Sequence, residues 1–192
     1  MGNLYTSTTF MEHNSHPDYK YEMDAPTHEH DGINPSCGDE LTLQLRVENN
    51  VIEEASFTGH GCAISQASAD IMADLITGET VEEARRLAGL FLAMIRGEQL
   101  SEEDLEDLDE AAQLQDISHM PARVKCAELA WRTLEKLLDQ ILPKRPLREY
   151  GVTREDLPVF AHSVVTEQGR LMANNFVPLD EARVLKIYQE LF

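Results

Sequence analysis

The sequence predicts an α+β domain: a small antiparallel sheet with helices on one face, followed by a helical extension. Three observations carry this expectation. Residues 41–48, LTLQLRVE, alternate strictly, with Leu41, Leu43, Leu45 and Val47 on one side and Thr42, Gln44, Arg46 and Glu48 on the other. That period of two is the signature of a half-buried strand. Asn49-Asn50 then tolerate positive φ, and a second strand-like run, VIEEASFTG, follows them, which reads as a hairpin. From Ala63 onward the apolar spacing changes to three and four and stays helical to Pro143. Strands first and helices after them place the helices on one sheet face instead of interleaving them.

Residues 1–33 open with a short helix and become polar and turn-rich. In the second strand Val51, Ala55 and Phe57 are expected to share the buried face. The first long helix starts at Ala63, presents Ile64, Ala67, Ile71, Leu75 and Ile76 on one side, and ends before Gly78. Thr80, with Glu83 three residues on, forms a capping-box pattern for the next helix, which Gly97 stops. Residues 98–116 are strongly acidic and read as a solvated short helix or insertion. The last core helix begins near Ser118 with Pro121 in its first turn, buries Val124, Ala127, Trp131, Leu134, Leu138 and Ile141, and is ended by Pro143 and Pro146. Residues 143–192 form a separate helical extension, in which Thr153 is positioned to cap one helix and Val184, Ile187, Tyr188 and Leu191 stripe another.

The chain has 192 residues and a net charge of −19. That length suits one domain, here residues 1–142, with an appendage, and buries a core without help from disulfides. Residues 1–142 hold 9 Lys and Arg against 28 Asp and Glu, whereas residues 143–192 hold 7 of each. Such a polyanion is repelled by nucleic acid and by anionic lipid, and its charge suits a basic partner surface. The N-terminus lacks a basic flank and an apolar run, so no secretory leader is expected. No stretch approaches the roughly 20 apolar residues of a membrane span. Three cysteines fit a reduced, cytoplasmic protein better than a disulfide framework.

The cysteines carry the chemistry. Cys37 lies in the loop NPSCGDE that enters the first alternating strand, Cys62 follows the turn Gly59-His60-Gly61 at a helix start, and Cys126 sits in the first turns of the last core helix. Helix starts favour thiolate through the dipole and the free N–H groups. The hairpin puts the entry of one strand and the exit of the next at the same sheet end, so Cys37 and Cys62 can meet there, and the last core helix can bring Cys126. Three thiolates repel one another unless a cation joins them. Zinc takes four ligands in a tetrahedron. The spacing leaves the fourth ligand open between Asp39, two residues after Cys37, and His60, two before Cys62. His119 is a more distant candidate.

The segments NPSCGDELTLQLRVENNVIEEASFTGHGCAISQASADIM and LQDISHMPARVKCAELAW resemble the SufU family, zinc-containing relatives of the IscU iron–sulfur scaffolds. The resemblance runs from about Leu4 to Leu142 and includes the acidic insertion before the third cysteine. It implies zinc ligation by Cys37, Asp39, Cys62 and Cys126, and so selects Asp39 over His60. It further implies a sulfurtransferase-like role in iron–sulfur cluster assembly. Cys37 would accept persulfide sulfur from a SufS-like cysteine desulfurase and pass it to downstream assembly proteins. The alternative is a scaffold that holds a transient iron–sulfur cluster. IscU proteins have a histidine directly before the third cysteine, and here that position is Lys125, which favours the SufU branch. The segment LREYGVTREDLPVFAHSVVTEQGRLMANNFVPLDEARVLKIYQELF is similar to the last helices of iron-containing alcohol dehydrogenases, but carries neither their metal ligands nor their dinucleotide site.

Overall fold

The computed structural model describes residues 7–141, 146–168, 172 and 179–192. The chain divides into two compact units, Met1–Leu142 and Pro143–Phe192. The first unit runs α1 (Thr8–Ser15), β1 (His28–Asn34), β2 (Asp39–Glu48), β3 (Val51–His60), α2 (Ala63–Ile76), α3 (Val81–Ile95), α4 (Glu102–Asp107), a 3₁₀ segment (Asp109–His119) and α5 (Pro121–Ile141). The three strands form one antiparallel sheet in the order β1-β2-β3.

The expected hairpin is β2–β3. Asn49 and Asn50 turn it with φ of 49° and 68°, the left-handed pair that a two-residue connection requires. Leu43 pairs with Phe57 and Leu45 with Ala55, and all four side chains are buried. One side-chain assignment is corrected. The register shifts between Arg46 and Val47, so that Val47 pairs with Ile52. The bulge turns Ile52 into the core and leaves Val51 only half-buried.

A third strand, β1, occupies part of the stretch read as polar and turn-rich. Its apolar Ile33 faces outward, 63% exposed, and its inward positions near the site are Gly32 and Asn34. The alternation is therefore inverted, because α5 lies too close for a larger residue. A Cβ on Gly32 would stand 2.0 Å from Thr133 Oγ1. The chain before β1 reaches back over the sheet, where the Met23 amide donates to Gln44 Oε1 at 2.9 Å and the Phe57 amide to the Tyr19 carbonyl at 2.9 Å. These contacts explain why Gln44, on the polar side of its strand, is buried.

The inner sheet face is covered by helices whose stripes match the expected spacing. Trp131 of α5 stacks on Phe91 of α3, with ring centroids 4.1 Å apart. Its indole N–H donates to Ser68 Oγ, which donates to the Ala127 carbonyl, so the polar tip of the ring is satisfied inside the core. Thr80 caps α3 by accepting the Glu83 amide at 3.1 Å, while the Glu83 carboxylate pairs with Arg86. The acidic segment departs from the expectation of a solvated insertion. Leu108, Ala111, Leu114 and Ile117 are fully buried. They recur every third residue, the period of a 3₁₀ turn, and the charges between them face water.

In the second unit, α6 (Asp156–Glu167) and α7 (Glu181–Leu191) follow a short 3₁₀ turn at Leu147–Tyr150. Leu157, Ala161 and Val184 are buried, whereas Ile187 and Leu191 of the expected stripe are 43% and 52% exposed. Thr153 is not the cap of α6. Its amide and hydroxyl both donate to the Asp156 carboxylate, and Glu155 holds the cap position. Pro143 falls outside the described residues. No helix among the described residues is long and apolar enough to cross a membrane.

Candidate metal centre

The site forms where the β1–β2 turn, the start of α2 and the second turn of α5 come together. Asn34 and Asp39 are opposed residues at the ends of β1 and β2. The turn between them is organised by Asn34: its carbonyl accepts the amides of Cys37 at 3.3 Å and Gly38 at 2.9 Å, and its side-chain oxygen accepts the Ser36 amide at 3.1 Å. Gly38 adopts φ +77°, a left-handed conformation that costs glycine nothing and lets Cys37 and Asp39 face one point. The neighbouring strand end leads through His60 and Gly61 into α2, whose N-cap residue is Cys62. The Cys62 amide donates to Asp39 Oδ1 at 3.0 Å, which ties the start of β2 to the start of α2.

Donor atoms of Cys37, Asp39 and Cys126 all lie within 4.8 Å of one another. The Cys37 and Cys126 sulfurs are 3.8 Å apart. Cys62 adds the hydrogen bond of its amide to Asp39, although its sulfur is outside the compact trio. The three thiols differ in access: Cys37 is exposed, Cys62 half-buried and Cys126 buried. His60 and His119 are exposed, and neither joins the trio. His60 instead lines a hollow with Asp31 and Glu40.

Asp39 is 3% exposed. Burial opposes its ionisation, but the neighbouring Cys37 thiol, the Cys62 amide and the Cys126 thiol outweigh burial and hold its carboxyl below the usual range. Burial pushes the Cys126 thiol up, and the neighbouring Cys62 and Cys37 add to the rise. Asp39 Oδ2 is buried without a hydrogen-bond partner, a costly state unless something else satisfies it. The donor set fits a thiophilic dication on each of these counts. The sulfur separation of 3.8 Å matches the edge of a tetrahedron with metal–sulfur distances of about 2.3 Å. The unpartnered oxygen supplies a free lone pair, and a cation would oppose the rise of the Cys126 thiol.

Asn34 is a site residue that the sequence reading did not single out. It is buried, and its side-chain amide donates to Cys126 Sγ at 3.9 Å. The available signal was Asn34-Pro35 itself, a turn-initiating pair directly ahead of the thiol.

Residues 5–91 match the NifU-like N terminal domain. The iron–sulfur cluster assembly scaffold protein IscU of Thermotoga maritima is 42% identical over 135 residues, covering 70% of this chain and 93% of the relative. The zinc-dependent sulfurtransferase SufU of Bacillus subtilis is 41% identical over 103 residues, 54% of this chain and 69% of the relative. A crystal structure from Fervidobacterium islandicum AW-1, assigned as an iron–sulfur cluster assembly scaffold protein for the SUF system, superimposes with a TM-score of 0.66 at 33% identity. It covers 72% of this chain and 99% of that one. A shorter similarity, 37% over 81 residues, links the chain to the 4-hydroxybutyrate dehydrogenase of Clostridium kluyveri, of which it covers 22%.

Proposed function

The chain belongs to the NifU-like N-terminal domain family, among the IscU and SufU proteins, and on that premise we propose that it is a zinc-dependent sulfur-transfer protein. It accepts persulfide sulfur from a cysteine desulfurase and passes it on for iron–sulfur cluster assembly. Zinc is assigned to Cys37, Asp39, Cys62 and Cys126, all within residues 1–142, with residues 143–192 as an added helical extension. The compartment is the cytoplasm, where thiols stay reduced.

One observation carries the reading. Cys37 is exposed while sharing a compact donor set with buried Asp39 and Cys126. An external sulfur donor can reach Cys37 and cannot reach Cys126. In the transfer, the Cys37 thiolate attacks the outer sulfur of the donor's persulfide. The donor's S–S bond breaks, its electron pair leaves on the donor cysteine as thiolate, and a new S–S bond leaves Cys37 as the persulfide. No net oxidation occurs. When bound, zinc supplies a positive centre that keeps thiols deprotonated at neutral pH. The chain's own part is positional: Asn34 and Gly38 present Cys37, and the Cys62 amide holds Asp39.

The test is mass spectrometry after incubating the zinc-loaded protein with a cysteine desulfurase and cysteine. One added sulfur atom should appear on Cys37. The second reading is a scaffold for a transient cluster, favoured by the name of the Thermotoga relative and by the same thiols, since iron–sulfur clusters are held by thiolates. A brown, cluster-bearing protein from anaerobic purification, with no persulfide on Cys37, would replace the first reading by the second.

A further inference from the structure

We propose that the groove between the end of β1 and α5 docks an acidic segment of the sulfur-donating partner. A carboxylate of that segment would draw Lys125 away from Ser36 and loosen the loop that carries Cys37. The inference rests on the sulfur-transfer reading and names how the donor is recognised.

The groove has a volume of about 210 Å³ and is lined by Ile33, Asn34, Pro35, Lys125, Arg132 and Lys136 among others. On the other side of α5 an open hollow of about 450 Å³ shares Lys125 and Arg132 and adds Arg96. Residues 1–142 hold only 9 basic residues against 28 acidic ones, yet four of those nine line these two adjoining hollows. A cationic patch on so acidic a unit selects an occupant of negative charge, while the net charge of −19 on each chain makes two copies repel and so disfavours a second copy.

Two of these four cations, Arg96 and Arg132, are already paired, and Lys125 and Lys136 form no ion pair among the described residues. Arg132 shares Glu128 and Glu135, and Arg96 also uses Glu128. Lys136 is exposed. Lys125 is exposed and donates a 3.5 Å hydrogen bond to Ser36 Oγ. Ile33, 63% exposed at an outward position of β1, adds an apolar anchor beside the cations. Contacts of this kind give docking its register, and the charges give it speed and specificity.

The position couples docking to chemistry. Pro35 and Ser36 directly precede Cys37, so an occupant of the groove lies beside the exposed thiol. The Lys125–Ser36 bond spans the same two elements, the β1–β2 turn and α5, that carry Cys37 and Cys126. A carboxylate attracts an ammonium more strongly than a serine hydroxyl does, so an acidic occupant removes one tether between the turn and the helix.

The test measures binding of the zinc-loaded chain to the cognate cysteine desulfurase at low and moderate salt. Wild-type affinity should fall as salt rises. Lys136→Glu should weaken binding about tenfold, with zinc content and melting temperature unchanged. Ser36→Ala should bind no more weakly than wild type and should speed alkylation of Cys37 in the metal-free chain. Wild-type binding with Lys136→Glu indistinguishable from it would overturn the docking site and leave the sulfur-transfer reading standing. No wild-type binding at all would overturn both. Unchanged Cys37 alkylation in Ser36→Ala would overturn the tether. Loss of self-association in Lys136→Glu, with desulfurase binding intact, would show the occupant to be a second copy and overturn the partner assignment.

Discussion

The Asp39 carboxylate is almost fully buried, and its Oδ2 atom has no hydrogen-bond partner. His60, its rival from spacing, is exposed and lines a different hollow. Substitution separates the two. Asp39→Ala should lower zinc content and the melting temperature together, because metal held by a folded site contributes folding energy. His60→Ala should keep one zinc per chain by elemental analysis, and zinc loss in His60→Ala with retention in Asp39→Ala would assign the ligand to the histidine instead. Asn34 acts through the others. Its carbonyl and side chain hold the turn, and its amide reaches Cys126. Asn34→Ala should destabilise the fold by about 1–3 kcal/mol, the cost of leaving buried partners unsatisfied, readable in urea melts of metal-free protein. The thiols were legible as candidates because cysteine is chemically conspicuous in sequence, whereas spacing left Asp39 and His60 level and only the family resemblance chose between them. Asn34 was hidden because an asparagine before proline has an ordinary turn role as well.

At the scale of elements, two contacts fix how pieces dock. β1 meets α5 at Gly32, where a Cβ would stand 2.0 Å from Thr133 Oγ1. Gly32→Ala should cost about 1–3 kcal/mol through overpacking. Adding Thr133→Ala should recover part of that loss, a non-additivity that a double-mutant cycle reads directly. α1 is docked by His13, whose ring nitrogens face Asp70 of α2 at 2.7 Å and Glu110 of the 3₁₀ segment at 2.8 Å. Both partners accept, so the imidazole donates at both nitrogens only when charged. Burial disfavours that charge, but the hydrogen bonds to Glu110 and Asp70 and the two negative charges outweigh it and raise the His13 pKa above its ordinary 6.5. A raised folded value gives stability that is fully present below the unfolded pKa and is lost as pH rises through the folded one. His13→Gln should therefore destabilise by about 2 kcal/mol at acidic pH, as charged hydrogen bonds do, and the gap from wild type should shrink as pH rises past that value. Melting curves across the range check this, and a gap that widens with pH would show that the ring is neutral in the fold.

For the whole molecule, the division after Leu142 makes a truncation informative. Residues 1–142 contain all four proposed ligands, the sheet and α5. A chain ending at Leu142 should bind one zinc and melt cooperatively, since a cut beyond the end of α5 breaks few backbone hydrogen bonds. Loss of both zinc and the cooperative transition would assign residues 143–192 to the core of the first unit. The truncated chain should also keep the full net charge of −19, because residues 143–192 carry 7 charges of each sign. Its ion-exchange retention should then resemble that of the intact protein.

What the sequence determined by itself was every feature written in local pattern. Alternation and an Asn-Asn pair specify β2–β3, three- and four-residue spacing specifies α2, α3 and α5, and left-handed Gly78 and Gly97 lie just beyond the first two of these helices. Tertiary structure decided what depends on a neighbour distant in the chain. β1 is a strand whose inward residues are glycine and asparagine, a pattern that makes sense only once α5 presses against it. Ile52 replaces Val51 in the core because one bulge shifts the register, and a one-residue shift exchanges the two faces of a strand. The apolar residues of the acidic segment are buried because helices fold over them, which their charged surroundings concealed. Cys37 and Cys126, 89 residues apart, come within 3.8 Å because β1 and β2 hold one and α5 the other. Packing sets that separation; periodicity along the chain carries no measure of it.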